Sequence, residues 1–368
     1  MSVQTEHRII YGDSRELDAV AAGSIDLVVT SPPYPMIEMW DHLFTAFDPQ
    51  IGISLDSGDG RRAFEGMHRV LDEVWAGLFR VMREGAFACI NIGDATRTLG
   101  GRFQLFANHS RIIGSFSELG FDILPAILWR KQTNAPNKFM GSGMLPAGAY
   151  VTLEHEYILI LRKGGKRLFH SAGEKKRRRE SAYFWEERNR WFSDLWDFKG
   201  IGQEIAGGEL RQRSAAYPFL LPFRLINMFS LLGDTILDPF LGTATTTLAA
   251  IAAGRHSTGY EIEPAFEVLI RERLLGECAG LNRYNLQRLK DHLDFVSEHA
   301  DEKSPLKYTN INYGFPVMTR QERELRLPLP GSLEEVESGF FRATYLDDAV
   351  IVAGDSITGS AGRNMLEW

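Results

Sequence analysis

Cysteine is scarce in this 368-residue chain: it has two, Cys89 and Cys278. Both lie among apolar residues and lack the paired spacing of a metal knuckle. That excludes a disulfide-stapled scaffold and a zinc site, and leaves buried structural thiols. Long apolar runs are missing as well. No stretch approaches the ~18 residues of a membrane span, and the opening MSVQTEHRII lacks the basic-then-apolar order of a secretion signal. The expectation is a cytoplasmic protein with no membrane contact and no metal. Basic charge is in deficit, with a net charge of −7. Such a balance argues against a protein that coats nucleic acid without specificity. No internal repeat is visible.

The charge is unevenly spread. Residues 162–190 carry a balance of +7, so the rest of the chain carries −14. Within that stretch Lys175, Lys176, Arg177, Arg178 and Arg179 form an unbroken basic run. A basic segment on an acidic body is a candidate polyanion contact, although a solvated helix face is the commoner meaning of such a run.

Strand and helix signals alternate elsewhere. RIIYGDS and IDLVVTS read as strands, with RELDAVAAG between them as helix. IDLVV is continuously apolar and β-branched after its aspartate, as a strand buried on both faces is. Phe64, Met67, Leu71, Val74, Leu78 and Val81 trace a helical stripe over residues 62–83, followed by Gly85 and the strand FACINIG. Residues 103–119 read as helix. FDILPAILWRK reads as a strand that its proline places at an edge or a bulge, and HEYILILRK as another. Between 164 and 213 periodicity gives way to charge, aromatics and glycine. Helix 218–232, strand DTILDPF, helix 243–253, strand HSTGYEI and helix 264–275 then follow. The alternation predicts a Rossmann-like, doubly wound, mostly parallel α/β sheet with helices on both faces. Residues after 303 have no legible pattern.

Two loops carry the chemistry. The strand DTILDPF runs into Leu241-Gly242-Thr243-Ala244-Thr245 and a helix, the arrangement with which α/β folds hold nucleotides. Glycine allows close backbone approach, and the helix N-terminus offers unpaired N–H groups. Glu261 ends the next strand, nineteen positions after Gly242, near the ~20-residue spacing of a ribose-binding acid. The three-glycine fingerprint of a dinucleotide site is missing, because Ala244 stands at the second glycine position. The other loop is Thr30-Ser31-Pro32-Pro33-Tyr34-Pro35, directly after IDLVV. Proline fixes φ and restricts the residue before it, so one serine and one tyrosine are held in a stiff, extended segment.

Taken with GDS (12–14), NIGD (91–94), WRK (129–131), HEYILILRK (155–163) and GYEIE (259–263), TSPPY and DPFLGTATT make the chain resemble the S-adenosylmethionine-dependent DNA amino-methyltransferases of the β arrangement. The catalytic loop comes first and the cofactor loop late, over residues 8–273. The resemblance implies a class I methyltransferase fold with circularly permuted motif order. It makes Ser31, Pro32, Pro33 and Tyr34 the catalytic loop. It gives the S-adenosyl-L-methionine site to Asp13, Thr30, Asp238, Phe240, Gly242, Thr243, Ala244, Thr245 and Glu261. It also divides the chain into a catalytic half (1–163), a target-recognition insert (164–213) whose residues 175–179 contact DNA phosphates, a cofactor half (214–302) and an extension of unknown role (303–368). Family members usually carry glycine where Ala244 stands. If that position needs φ > 0, alanine costs on the order of 1 kcal/mol.

An exocyclic base amine is a poor nucleophile, since its lone pair is delocalised into the ring. Acceptors on its N–H groups draw the nitrogen toward tetrahedral geometry and aim it. The Ser31 hydroxyl and the Pro32 carbonyl suit that task by positioning and electrostatics. Tyr34 offers a face on which an extruded base can stack. A C5-cytosine enzyme needs a cysteine nucleophile, which in that family follows a proline. Cys89 follows Ala88 and Cys278 follows Glu277, so that reaction is disfavoured. Serine at the head of the loop resembles the cytosine-N4 enzymes, with adenine-N6 as the alternative. An RNA or protein-amide methyltransferase and a silent DNA-binding relative are weaker alternatives. Duplex DNA is the expected partner, with a restriction endonuclease and a second copy of the chain as further candidates.

Overall fold

IDLVVT is buried along its whole length and becomes a central strand of a ten-stranded sheet. The computed structural model describes residues 4–131, 140–198, 217–302, 306–346, 350–352 and 356–358. In chain order the elements are β1 (Gln4–Tyr11), β2 (Ile25–Thr30), α1 (Asp41–Phe47), α2 (Pro49–Asp56), α3 (Gly60–Val81), β3 (Met82–Ile92), β4 (Ala95–Leu99) and β5 (Arg102–Phe106). Next come α4 (Asn108–Glu118), β6 (Phe121–Arg130), β7 (Met140–Gly141), β8 (Ala149–Tyr150), β9 (His155–Lys163), α5 (Ala172–Glu180), α6 (Trp185–Trp191) and β10 (Leu195–Asp197). The remaining α-helices and strands are α7 (Leu220–Phe229), β11 (Thr235–Asp238), α8 (Thr245–Ala253), β12 (His256–Glu261), α9 (Glu267–Glu277), α10 (Asn282–Glu302), β13 (Tyr308–Thr309), β14 (Pro316–Val317), β15 (Pro330–Glu337), β16 (Phe340–Tyr345), β17 (Val350–Val352) and β18 (Ser356–Thr358).

The main sheet runs β10-β6-β9-β3-β2-β11-β12-β1-β16-β15. Its centre is parallel: β3 with β2, β2 with β11, β11 with β12 and β12 with β1. β9 is antiparallel to both β3 and β6. Alternate residues of β2 feed two cores. Leu27 and Val29 pack with Leu221 and Leu225 of α7 and Leu248 of α8. Val28 packs with the α3 and α4 side chains Leu71, Val74 and Phe116. The predicted stripe on α3 is buried at Met67, Leu71, Val74 and Leu78, each worth roughly 1.5–3 kcal/mol of apolar burial. Asp59 caps this helix by accepting from the Arg62 N–H at 3.0 Å.

The expected doubly wound, mostly parallel architecture is present, and several local expectations differ. Residues 15–23 are turns rather than helix. Arg15 folds back on Asp13, its backbone N–H and guanidinium both donating to that carboxylate, and only Leu17 and Val20 of the segment reach a core. Residues 102–106 pair with 95–99 as a hairpin, so the helix expected from 103 begins at Asn108. Pro125 lies in a register shift between Leu124 and Ile127, as a strand proline should. Two helices and a strand form within the irregular 164–198 stretch. Its residues 199–213 fall outside the described region. Described residues of the unreadable tail join the main sheet: β16 pairs antiparallel with β1, and β15 with β16. Phe315, Val317, Leu325, Leu327 and Leu329 build a satellite core with Phe184, Leu286 and Leu289.

Gly85 sits inside β3 at φ +78, where a Cβ would lie 2.6 Å from the Arg167 backbone nitrogen. Strain and collision add at this position. Gly85→Ala is expected to lower unfolding stability by at least about 2 kcal/mol, measured by urea denaturation. An unchanged midpoint would contradict this packing.

Candidate active site

The parallel strands β2, β11, β12 and β1 all end at one edge of the sheet, and a cavity of about 380 Å³ opens there. This volume is inside the roughly 300–1,000 Å³ range of small-molecule pockets. The register Tyr11↔Glu261 sets Asp13 beside Glu261. Asp13, Ser31, Pro32, Pro33, Phe240, Gly242, Thr243, Thr245 and Glu261 all line the cavity. Tyr34 does not line it, and neither do the buried Thr30, Asp238 and Ala244. Asp238 is buried and accepts from the Thr30 hydroxyl at 2.6 Å, the Phe240 N–H at 3.1 Å, the Tyr217 hydroxyl at 3.2 Å and the Thr246 hydroxyl. Burial pushes its carboxyl above the usual range, and the hydrogen bonds pull it back.

The cofactor loop has the strain its sequence predicts. Ala244 adopts φ +62, ψ +29, the left-handed conformation that glycine takes at lower cost. Arg273 pins the loop, donating to the Thr243 carbonyl at 2.6 Å and to the Thr245 hydroxyl at 3.0 Å. A Cβ at Gly12 or Gly242 would meet no protein atom within 4 Å. Both glycines line the cavity, so their bare backbone is open to a ligand. Glu261 accepts from the Gly242 N–H at 2.8 Å and the Glu263 N–H at 2.9 Å. Burial raises its carboxyl to about 7, against these two hydrogen bonds. Asp13 is held below its usual range: burial opposes the shift, but the Arg15 hydrogen bonds outweigh it. Acids at the rim, aromatic walls and exposed glycine backbone fit a nucleoside with a charged amino-acid arm.

One wall was not foreseen from the sequence. Trp40, Leu43, Phe44 and Phe47 on and before α1 close the cavity together with Tyr217 and Phe266. The Arg15 guanidinium lies 4.2 Å over the Phe47 ring. α1 is a seven-residue helix with no helical stripe long enough to be read in advance.

The catalytic loop sits on a hydrogen-bond network. The Ser31 hydroxyl donates to the Tyr34 hydroxyl at 3.2 Å, and Tyr34 donates to Glu156 Oε2 at 2.9 Å. Asn91 Nδ2 donates to both Tyr34 (2.8 Å) and Glu156 (2.7 Å). The Lys131 ammonium contacts Glu156 Oε1 and lies 4.8 Å over the Trp129 ring. Burial, then the Glu156 charge, raise the Tyr34 hydroxyl well above its ordinary value, so it stays protonated. A Cβ on Gly93 would come within 2.9 Å of the Tyr34 ring. NIGD, WRK and HEY supply Asn91, Lys131 and Glu156. Only the pairings Trp129↔Glu156 and Ile92↔Tyr157 show that they converge.

The basic run is not brought to this edge. Residues 175–179 lie on α5, which docks at the opposite ends of the strands. Arg177 approaches Asp234 at 3.5 Å, just before β11, and Arg179 pairs with Glu324 at 2.7 Å. Lys176 approaches Glu180 at 3.8 Å, and Arg178 lies over Phe169 at 4.8 Å. A strand length, on the order of 15 Å, separates this helix from the catalytic loop. The aromatics of the insert pack inward at Phe184 and Trp191.

A doubly wound sheet with a glycine loop, a buried acid at the next strand end and a stiff polar loop at the same edge defines the class I methyltransferase fold. The chain belongs to the DNA methylase family of N6/N4 amino-methyltransferases, whose family model matches residues 25–272. It is 50% identical over 345 residues to the type II methyltransferase M.MthZI of Methanothermobacter thermautotrophicus, covering 93% of this chain and 96% of the relative. It is 47% identical over 285 residues to the type II methyltransferase M.MjaI of Methanocaldococcus jannaschii, covering 74% and 93%. A solved structure of a DNA modification methylase from Thermus thermophilus, complexed with S-adenosyl-L-methionine, superposes with a TM-score of 0.56 at 33% identity over 74% of this chain and 95% of that one. The protein is a DNA methyltransferase that uses S-adenosyl-L-methionine. Among the described residues no helix is long and apolar enough to cross a membrane.

With Glu261 as the ribose-binding acid that the sequence resemblance implies, cofactor binding is expected to depend on pH. Its carboxyl is neutral below about 7, whereas ligand hydroxyls favour the ionised acceptor. Affinity is expected to fall roughly tenfold per pH unit below about 7. The cofactor-free protein should lose stability as pH rises from the ordinary carboxylate range toward about 7, because the folded state holds the extra proton. Calorimetric titration of the wild type and of Glu261→Gln, whose profile should be flat, checks the sign.

Proposed function

We propose that this enzyme methylates the exocyclic N4 amine of cytosine in a specific duplex DNA sequence, acting on a base rotated out of the helix, with a restriction endonuclease of matching specificity as its functional counterpart. The observation that carries the proposal is the Ser31 hydroxyl. It heads the loop, lines the same cavity as the cofactor loop and is tied to β11 through the adjoining Thr30–Asp238 bond. A neutral hydroxyl at this place, rather than a carboxylate, matches the cytosine-N4 pattern.

In this proposal Ser31 Oγ and the Pro32 carbonyl accept the two amine N–H bonds, and Pro32 and Pro33 hold those acceptors still. Tyr34 stacks the base, and Gly93 leaves room for its ring where a Cβ would collide. Asp13, Phe240, Gly242, Thr243, Thr245 and Glu261 hold the cofactor, with the buried Thr30, Asp238 and Ala244 shaping the loop. Bound S-adenosylmethionine supplies an electrophilic methyl group. The contribution of the chain is aim and acceptor placement, with no covalent intermediate. Alignment of this kind supplies several kcal/mol of a transfer barrier.

Mass spectrometry of nucleosides from treated DNA should show N4-methylcytosine, and N6-methyladenine alone would refute the assignment. Ser31→Ala is expected to cut methyl transfer by about a hundredfold or more without weakening S-adenosylmethionine binding. Sequencing the modified DNA then gives the recognition motif.

A further inference from the structure

Each hydroxyl in the loop network already points its proton one way. Ser31 donates to Tyr34, and Tyr34 donates to Glu156. The terminal carboxylate is braced on one oxygen by Asn91 and on the other by Lys131. Methylation of an amine releases a proton, and the acceptors beside the amine are a hydroxyl and a carbonyl, neither of which can keep it. We propose that Ser31, Tyr34 and Glu156 form a directed proton path that drains the amine as it is methylated, with Glu156 as the terminal acceptor. This rests on the placement of Ser31 Oγ against the amine.

The step balances. The amine lone pair forms the new N–C bond as the C–S bond of the cofactor breaks and leaves its electron pair on sulfur. The amine proton passes to Ser31 Oγ, the serine proton to Tyr34 Oη and the tyrosine proton to Glu156 Oε2. The positive charge of the sulfonium and the negative charge of the carboxylate disappear together. Glu156 acts through Tyr34 and is a positioning residue as well as a proton store: its carboxylate fixes the tyrosine hydroxyl that receives from Ser31. Neighbours fit the role. Asn91 is almost fully buried in β3 and donates to two of the three members of the relay, Tyr34 and Glu156. The Trp129 ring lies under the lysine that braces the carboxylate.

The test uses the full-length enzyme, its DNA substrate and single-turnover methyl transfer. Glu156→Gln keeps the side-chain size and removes the basic oxygen; Tyr34→Phe keeps the stacking face and cuts the path. Each is expected to slow transfer on the order of a hundredfold with KM for DNA and for S-adenosylmethionine unchanged, and Glu156→Asp should restore part of the rate. The double variant should be no slower than either single variant, because one path is cut once. The wild-type solvent deuterium isotope effect should vanish in both. Additive losses in the double variant, or a Glu156→Gln enzyme of full rate while Ser31→Ala is inactive, would overturn the relay and leave the amine placement standing. A fully active Ser31→Ala enzyme would instead remove the placement on which the relay rests.

Discussion

The buried carboxylate of Asp238 is the constraint on which the site depends. It joins residues that are 208 positions apart in the chain, because Thr30 closes the strand that feeds the Ser31–Tyr34 loop and Asp238 closes the strand that feeds the Leu241–Thr245 loop. Its partners are neutral donors, from Thr30, Tyr217, Thr246 and the Phe240 backbone. A desolvated carboxylate is tolerable when its lone pairs are filled in this way, and hydrogen bonds to a charged group contribute roughly 1.5–3 kcal/mol each. Loss of a single donor therefore leaves a charge unsatisfied in the core. The two halves of the active site are thus held in register by burial: any shift of one loop relative to the other exposes that charge to an unfilled shell.

The same edge of the sheet mixes stiffness with strain. Prolines set the catalytic loop, and Met36 just beyond it takes φ +69 while buried. Ala244 takes φ +62 at the mouth of α8. Left-handed conformations of this kind cost on the order of 1 kcal/mol or more and persist only where the surroundings over-determine them. Arg273 is part of that determination on the cofactor side, since it grips the Thr243 carbonyl and the Thr245 hydroxyl at once. On the catalytic side Asn108 does comparable work, donating to the carbonyls of Pro35 and Gly93 from a fully buried position.

Much of this was legible in the sequence because it depends on local pattern. IDLVVT announces a strand buried on both faces, the stripe on α3 announces its core face, and the spacing from Gly242 to Glu261 announces two neighbouring strand ends. The conditional reading of Ala244 needed only the knowledge of which dihedrals alanine dislikes. Tertiary register was not legible. Asn91 and Glu156 stand in β3 and β9 and Lys131 just past the end of β6, and the antiparallel placement of β9 between β3 and β6 gathers them around Tyr34 and its carboxylate partner. The wall around Trp40 and Phe47 was hidden because α1 is too short to show a period. The basic run at 175–179 meets a related limit: charge density is visible in a sequence, but its address on the fold, at the strand ends opposite the Ser31–Tyr34 loop, is not. The tail was unreadable because β15 and β16 gain their meaning from β1, more than three hundred residues earlier.

The strand order also sets a schedule for folding. β1 precedes the other strands of the main sheet in the chain, yet its neighbours are β12 and β16, and β2 meets β11 only across some two hundred intervening residues. A growing chain can assemble β2, β3, β6 and β9 with α3 and α4 early, while β1 waits with its hydrogen-bonding edges open. Closing the sheet at the β2–β11 seam is then a long-range event, slow in the manner of high contact order and exposed to mispairing until it occurs. The order of strands along the chain thereby makes β11 and β12 the last pieces of the sheet's centre, and the cavity at the strand ends and the completed core form in one closing step.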